Sequence, residues 1–464
     1  MSIDYRGLEA QAKSGNVSIS IPVNNPLVRV ANSLPWRDLA NTVETDIRTT
    51  TKGFWWVGRR LSLRVHLAIF ILQARFNLTD RRIADEISFN ALYQAFAGEQ
   101  AAGQLRWPDH SAICRFRNRL SAETQRQVLI AVVKTAEALG IADPSWMDLD
   151  STVQEAEMAY PSDANIMLKL TKHAAKITEW VRKNMPILLP KGLKVDVAAV
   201  AAKAKEYFFM AKNTSLEEKR EVFKELHGLV KKSIYPLAEC LEKLEAKGEL
   251  ANLPWNIKDR VTQIRQDAKR YLLDVAHFIR TNKIKAGKIL SLHLRDVACI
   301  CKGKLGKPCE FGRVFQICRI GGNFLIPLSC DSIRMVDKKC VEAAITEHIT
   351  IFGLDQLASL AADKGYYSHA NVRKAVSKGV KEVGIQCPGR VKTDQSEQNI
   401  QDAKRLRDRR AGIEPLIGHA KKFGLGRSRM KSDTTTLASG YRSILGFNLR
   451  QLERNISETM KKAA

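Results

Sequence analysis

A chain of 464 residues is long for a single hydrophobic core, so two or three folding units are expected. Hydrophobic residues make up 45% and charged ones 27%, which excludes a disordered or fibrous chain and reads as globular. Lys and Arg outnumber Asp and Glu by 75 to 49, a formal charge of +26, which points to a polyanionic partner, nucleic acid first. The plainer reading is a merely basic or ribosome-associated protein, and charge alone says nothing of chemistry.

Residues Met1 to Asn24 lack a basic-then-apolar leader pattern. No apolar run approaches the ~18 residues that a spanning helix needs, so a cytoplasmic protein without a membrane segment is expected. Cysteines stand at 114, 240, 299, 301, 309, 318, 330, 340 and 387, an odd number without a CxxC pair, which argues against a disulfide framework. Cys299, Cys301 and Cys309 cluster, but their spacing matches no common zinc finger, and reduced half-buried thiols are the expectation.

In chain order, residues 1 to 35 carry Asn-Asn-Pro and Leu-Pro-Trp, turn signals that predict an extended arm. Residues 36 to 140 are helical in pattern. Apolar residues recur at helical spacing through Leu63, Val65, Ala68, Ile69 and Leu72. Thr79 reads as the N-cap of a short helix through Ile83 and Ile87, and Ser111 as another cap. Beyond it Ile113, Phe116 and Leu120 form one face, while Arg115 and Arg119 fall on a different one. A greasy back and a guanidinium front are what a helix docked on DNA needs, and a solvated basic face is the alternative.

Strand character appears at Ser145 to Val153, with Trp146, Asp148 and Asp150 alternating with Met147 and Leu149. Residues 165 to 295 turn helical and charge-rich, with an apolar stripe of Leu226, Val230, Ile234, Leu237, Leu241 and Leu244, the pattern of a helical hairpin or bundle inserted into the strand-bearing fold. Strands resume at Val314 to Ile320 and Phe324 to Leu328, joined by Gly321-Gly322-Asn323, a hairpin signal. A helix near Lys339 to Phe352, a strand near Leu357 to Ala362, a helix over Ser368 to Ser377 and a strand over Val380 to Gln386 follow. The final quarter is helical, and very basic from Lys404 to Lys431.

Three carboxylates stand out by placement. Asp150 ends the polar face of the first strand, Asp363 follows the apolar run Leu360-Ala361-Ala362, and Glu414 lies on a helical stretch. At 100° per residue Arg410, Glu414 and Lys421 fall within about 40° of one another, a carboxylate between cations on one face. Each taken alone reads more simply as a surface charge or a cap. Together they match the demand of phosphoryl transfer, which needs divalent cations about 4 Å apart held by hard oxygen ligands. Asp148 shares a strand face with Asp150 and reads either as a second ligand candidate, a charge-tuning neighbour or a solvated strand residue.

The stretches Asp150-Ser151-Thr152-Val153, Ala362-Asp363-Lys364-Gly365-Tyr366 and Arg410-Ala411-Gly412-Ile413-Glu414, followed by Lys421-Lys422-Phe423-Gly424-Leu425, resemble the DDE transposases of bacterial insertion sequences. Their signature of arginine, three residues, glutamate, six residues and lysine is met by Arg410, Glu414 and Lys421; where a tyrosine often stands three residues before that arginine, this chain has Arg407. Asn77-Leu78-Thr79-Asp80, Asp109-His110-Ser111 and Arg115-Phe116-Arg117-Asn118-Arg119-Leu120 resemble that family's DNA-binding helices. Tyr160-Pro161-Ser162-Asp163, Cys301-Lys302-Gly303-Lys304 and Glu310-Phe311-Gly312 are similar to a subgroup with a helical insertion.

The resemblance implies an α/β RNase H-like catalytic core (141 to 164 and 296 to 464) with a large helical insertion (165 to 295), preceded by an all-α DNA-binding domain (36 to 140). It implies Asp150, Asp363 and Glu414 as catalytic residues and ligands of two Mg2+ or Mn2+ ions. Arg115, Arg117, Arg119, Lys302, Lys304, Arg410 and Lys421 are the expected DNA contacts. The implied activity is binding of terminal inverted repeats, strand cleavage and strand transfer on double-stranded DNA, by a homo-oligomer in the synaptic complex. A non-enzymatic DNA-binding derivative and an RNase H-like nuclease that cuts without joining are the alternatives.

Overall fold

The computed structural model describes residues 20–50, 62–98, 107–328, 337–387 and 397–463, apart from residues 23, 159, 186–188, 190–191, 212, 252, 286 and 305–306 within those spans. Helices α1 (Pro26–Ser33), α2 (Trp36–Thr50), α3 (Leu63–Phe76), α4 (Asp80–Phe89), α5 (Ala91–Ala97), α6 (His110–Arg119) and α7 (Ala122–Ala138) lead into strand β1 (Trp146–Glu155). Helices α8 (Asp163–Asn184), α9 (Val197–Phe209), α10 (Leu216–Ala246), α11 (Trp255–Thr262) and α12 (Lys269–Thr281) precede β2 (Ala298–Lys304), β3 (Lys307–Ile320) and β4 (Phe324–Pro327). The chain continues through α13 (Asp337–Phe352), β5 (Ser359–Ala362), α14 (His369–Ser377), β6 (Glu382–Ile385), α15 (Glu397–Ala411), α16 (Ile413–Ala420) and α17 (Asp433–Ala463).

Two compact units form: residues 1–156 with 312–464, and residues 157–311. Residues 157–164 and 296–311, which the sequence grouped with the core, thus fall in the second unit. The first unit is mixed α/β. In its sheet β1 lies between β3, to which it is antiparallel, and β5, to which it is parallel. β4 extends β3 antiparallel and β6 extends β5 parallel. The turn between β3 and β4 places Gly322 and Asn323 at φ 74° and 63°, left-handed values that glycine and asparagine tolerate best.

Helices α1 to α7 do not form a core of their own. Their buried side chains, among them Leu27, Val43, Leu72, Ile83, Phe116 and Val132, join those of the sheet and of α17 in one hydrophobic cluster. α17 makes this possible: it packs against α7, α3 and β4. Its buried Asn448 accepts from the Leu325 N–H at 2.9 Å and donates to the Leu325 C=O at 2.7 Å, so a side chain satisfies a strand backbone that would otherwise stay open.

Two local expectations change. Asn-Asn-Pro does not open an extended arm: Asn25 caps α1, accepting from Leu27 N–H at 2.9 Å, and Pro26 takes the first helical turn, where its missing N–H costs nothing. The cap of α6 is Asp109, which accepts from Ala112 N–H at 2.6 Å, rather than Ser111. Thr79 caps α4 as read, with Ile83 and Ile87 fully buried.

The second unit is a helical bundle with its own core. The stripe Leu226, Val230, Ile234, Leu237, Leu241 and Leu244 on α10 is buried throughout. Ser215 and Glu218 close a reciprocal capping box at the start of that helix. Within the unit Asp163 takes a hydrogen bond from Tyr271 at 2.8 Å and an ion pair from Lys288 at 2.5 Å, which fixes the start of α8 on α12.

Candidate active site

Leu149 on β1 pairs with Ala362 on β5 in parallel register. Asp150, the next residue on β1, and Asp363, the first residue past β5, therefore leave the paired segment at the same level, from neighbouring strands about 4.8 Å apart. The buried Leu149, Ala361 and Ala362 fix the strands beneath them. Each carboxylate also engages its own chain. Asp150 Oδ1 accepts from Ser151 N–H at 2.7 Å, and Asp363 Oδ1 from Lys364 N–H at 2.7 Å, capping the short 3-10 turn Lys364–Tyr366.

Tyr366 anchors that turn. Its ring is buried and its hydroxyl donates to Gln316 Oε1 at 2.5 Å, while Gln316 Nε2 donates to Asp337 Oδ1 at 2.8 Å. Gln316 lies opposite Ser151 in the β1–β3 register, so the strand after Asp150, through its backbone pairing, and the turn after Asp363, through Tyr366, meet at one residue. Burial, with the nearby Asp337 and Asp150 charges, holds the Tyr366 phenol far above its usual range. It stays a neutral donor.

Glu414 stands in the first turn of α16, its side chain 67% exposed. Arg410 joins it to Asp150: one guanidinium nitrogen is 3.4 Å from Asp150 Oδ2, the other 3.6 Å from Glu414 Oε1. Burial raises the Asp150 carboxyl above the usual carboxylate range; the Ser151 N–H and Arg410 oppose this, and the negative charges of Asp363 and Glu414 add to it. All three carboxylates thus share one electrostatic environment. Their oxygens do not close to within 4.8 Å of one another, because the link from Asp150 to Glu414 runs through a guanidinium.

The single helical face proposed for Arg410, Glu414 and Lys421 is interrupted. α15 ends at Ala411, α16 starts at Ile413, and Lys421 opens the π turn Lys421–Leu425 that follows. Gly412, between the two helices, leaves room for Arg319: a Cβ there would overlap its guanidinium.

Asp148 is corrected. It is neither solvated nor free to trade places with Asp150, since its side chain is 0% exposed and held by two arginines. Arg409 Nε donates to Oδ1 at 2.8 Å, and Arg319 Nη1 stands 3.4 Å from Oδ2. Both guanidinium groups lie against Trp146, at 4.8 and 5.2 Å from its ring centroid. Arg409 also donates to Ser359 Oγ, and Arg319 to the Arg409 carbonyl, at 2.8 and 2.9 Å. Burial raises the Asp148 carboxyl while Arg409 and Arg319 pull it down. The alternation along β1 misled because Arg319 and Arg409 cover the strand's polar face at Asp148.

Of the expected DNA contacts, Arg115 and Arg119 are exposed on α6, whose Ile113 and Phe116 are buried. Arg117 is not available in the same way: its side chain is 15% exposed and ion-paired with Asp80 of α4, which also accepts from Gln73 at 2.7 Å. The side chains of Lys302 and Lys304 lie outside the described residues. Arg319, Arg409 and Tyr366 were missed by sequence reasoning. The signal for Arg409 was present, as two adjacent arginines facing two aspartates spaced for one strand face.

Residues 16–119 match a family described as a transposase domain (DUF772). The chain is also 27% identical over 158 residues to an uncharacterized protein, ORF8 in the nfe locus of Rhizobium meliloti, a match that spans 32% of this chain and 73% of the relative. No solved structure matches the chain. Residues 16–119 are thus similar to a transposase-domain family, in keeping with the resemblance to insertion-sequence transposases read from the chain's residues.

Proposed function

We propose that the protein is a DDE transposase that binds the terminal inverted repeats of its element and catalyses metal-dependent DNA cleavage and strand transfer. The observation that carries this reading is the placement of Asp150 and Asp363 at one level on adjacent parallel strands, with Glu414 joined to Asp150 through Arg410. The sheet supports an RNase H-like core: three antiparallel strands (β4, β3, β1) continue into two parallel ones (β5, β6), with the aspartates on β1 and just after β5.

The donor set suits magnesium or manganese. Three carboxylates, one half-buried and two exposed, offer hard oxygens and leave room for the water such ions keep. A pair of these ions would activate the attacking oxygen and stabilise the leaving one. The chain's own residues do the rest. Arg410 occupies the space between Asp150 and Glu414 with long contacts, a resident counter-charge that bound cations would replace. Arg410 and Lys421 would then be the cations available to contact the scissile phosphate. Arg115 and Arg119 hold the DNA backbone away from the chemistry, and Arg117 holds α6 on α4.

The test is strand transfer on duplex DNA bearing the element's end. Asp150→Ala, Asp363→Ala and Glu414→Ala should each abolish cleavage and joining while end binding persists. A variant that still cleaves removes its residue from the site, and a parent protein that cuts without joining replaces transposition by hydrolysis.

A further inference from the structure

Away from the carboxylates, the one group of metal-ligating side chains that closes up among the described residues is Cys299, Cys301 and Cys309, whose Sγ atoms all lie within 4.8 Å of one another. Cys299 and Cys301 are two apart on β2 and share a strand face, while Cys309 comes from the neighbouring β3. The Sγ atoms of Cys301 and Cys309 are 3.4 Å apart, and all three thiols are free.

We propose that these three cysteines bind one thiophilic divalent cation of the zinc class, with its fourth position open to water. A metal–sulfur bond of about 2.3 Å in tetrahedral geometry puts neighbouring sulfurs about 3.8 Å apart. The observed separations, from 3.4 to at most 4.8 Å, bracket that value, so rotamer-scale movement closes the site. A disulfide between Cys301 and Cys309 needs their sulfurs about 2.0 Å apart and leaves Cys299 with no role, whereas a cation uses all three. Thiolate donors select zinc-class ions over magnesium and manganese, so this centre and the carboxylate centre take different metals. Binding is balanced by release of the three thiol protons, one per ligand. The cation ties β2 to β3 across the short link between them. Sequence spacing alone hid the site, because finger motifs pair cysteines along one segment, whereas here strand pairing brings the third ligand in.

The experiment uses the full chain, reduced and freed of metal by a chelator, titrated with Co2+ while the thiolate-to-cobalt charge-transfer absorption is followed. One equivalent per chain should produce the band, excess Zn2+ should remove it, and millimolar Mg2+ should not. Cys301→Ser and Cys309→Ser should abolish it and Cys299→Ser should weaken or abolish it, with unchanged circular dichroism; Cys114→Ser should leave it intact. Absence of the band in the parent, its survival in Cys301→Ser, or a Cys301–Cys309 disulfide that forms in place of metal binding overturns the proposal. Asp150→Ala should keep the band. Loss of strand transfer there with the band retained separates this centre from the carboxylate one, so either reading can fail alone.

Discussion

Arg409 and Arg410, adjacent on α15, reach two aspartates that alternate on β1: Arg409 Nε donates to Asp148 at 2.8 Å, and Arg410 stands 3.4 Å from Asp150. The first pair is buried and structural, while the second is half-buried and faces Glu414. One anchors the helix; the other holds the candidate catalytic carboxylate.

Breaking the buried pair leaves an uncompensated charge, so Arg409→Ala and Asp148→Ala should each destabilise the fold by about 3 to 5 kcal/mol. The double variant should cost far less than the sum. Urea denaturation of the four proteins gives the coupling, and additive losses would show that Asp148 is not held by Arg409.

Asp150 is held at a cost. Its folded-state carboxyl is raised, chiefly by burial, so its stabilising share is full only below the unfolded value and is lost as pH rises through the folded one. At neutral pH the charge works against folding. Without divalent cations Asp150→Asn should therefore melt higher than the parent, and added Mn2+ should narrow the gap by stabilising only the parent. A variant that melts lower in the absence of metal contradicts this account of the site.

On α6 the arginines divide by role. Arg117→Ala should lower thermal stability through loss of the Asp80 pair, as should Asp80→Ala. Arg115→Ala should leave stability unchanged, weaken DNA binding, and reduce the slope of log affinity against log salt by about 1. Equal effects of the Arg115 and Arg117 changes on both readouts would merge the two roles.

His348 on α13 is buried against Phe352, ring centroids 4.9 Å apart, and burial lowers its pKa to about 4. A histidine depressed in the folded state resists protonation that the unfolded chain accepts below its ordinary value near 6.5. Stability should fall as pH drops through that value, by about 1.6 kcal/mol between pH 6.5 and 5 from this residue alone. His348→Phe should flatten that limb of the stability curve, and an unchanged slope would remove the histidine as its cause.

Much of this was legible in the residues. The hairpin at Gly321-Gly322-Asn323, the stripe on α10 and the N-cap at Thr79 are local, and local chemistry decides them. What escaped depended on partners distant in sequence. Asp148 reads as a polar strand residue until Arg319 and Arg409 cover it, and Arg117 reads like its neighbours until Asp80 takes it. The cysteine cluster needed the pairing of β2 with β3. The helices before β1 looked like a separate domain because nothing in their own sequence announces that α17 will bind them to the sheet.

The central claim is that Asp150, Asp363 and Glu414 hold the catalytic cations. The most direct measurement is anomalous scattering from Mn2+ in crystals of the full chain bound to end DNA. The account predicts manganese ions about 4 Å apart, with oxygens of all three carboxylates about 2.1 Å from one or the other, and Arg410 moved off Asp150 onto phosphate. Ions bound elsewhere, or any one of the three carboxylates more than about 10 Å from the other two in that complex, would contradict it.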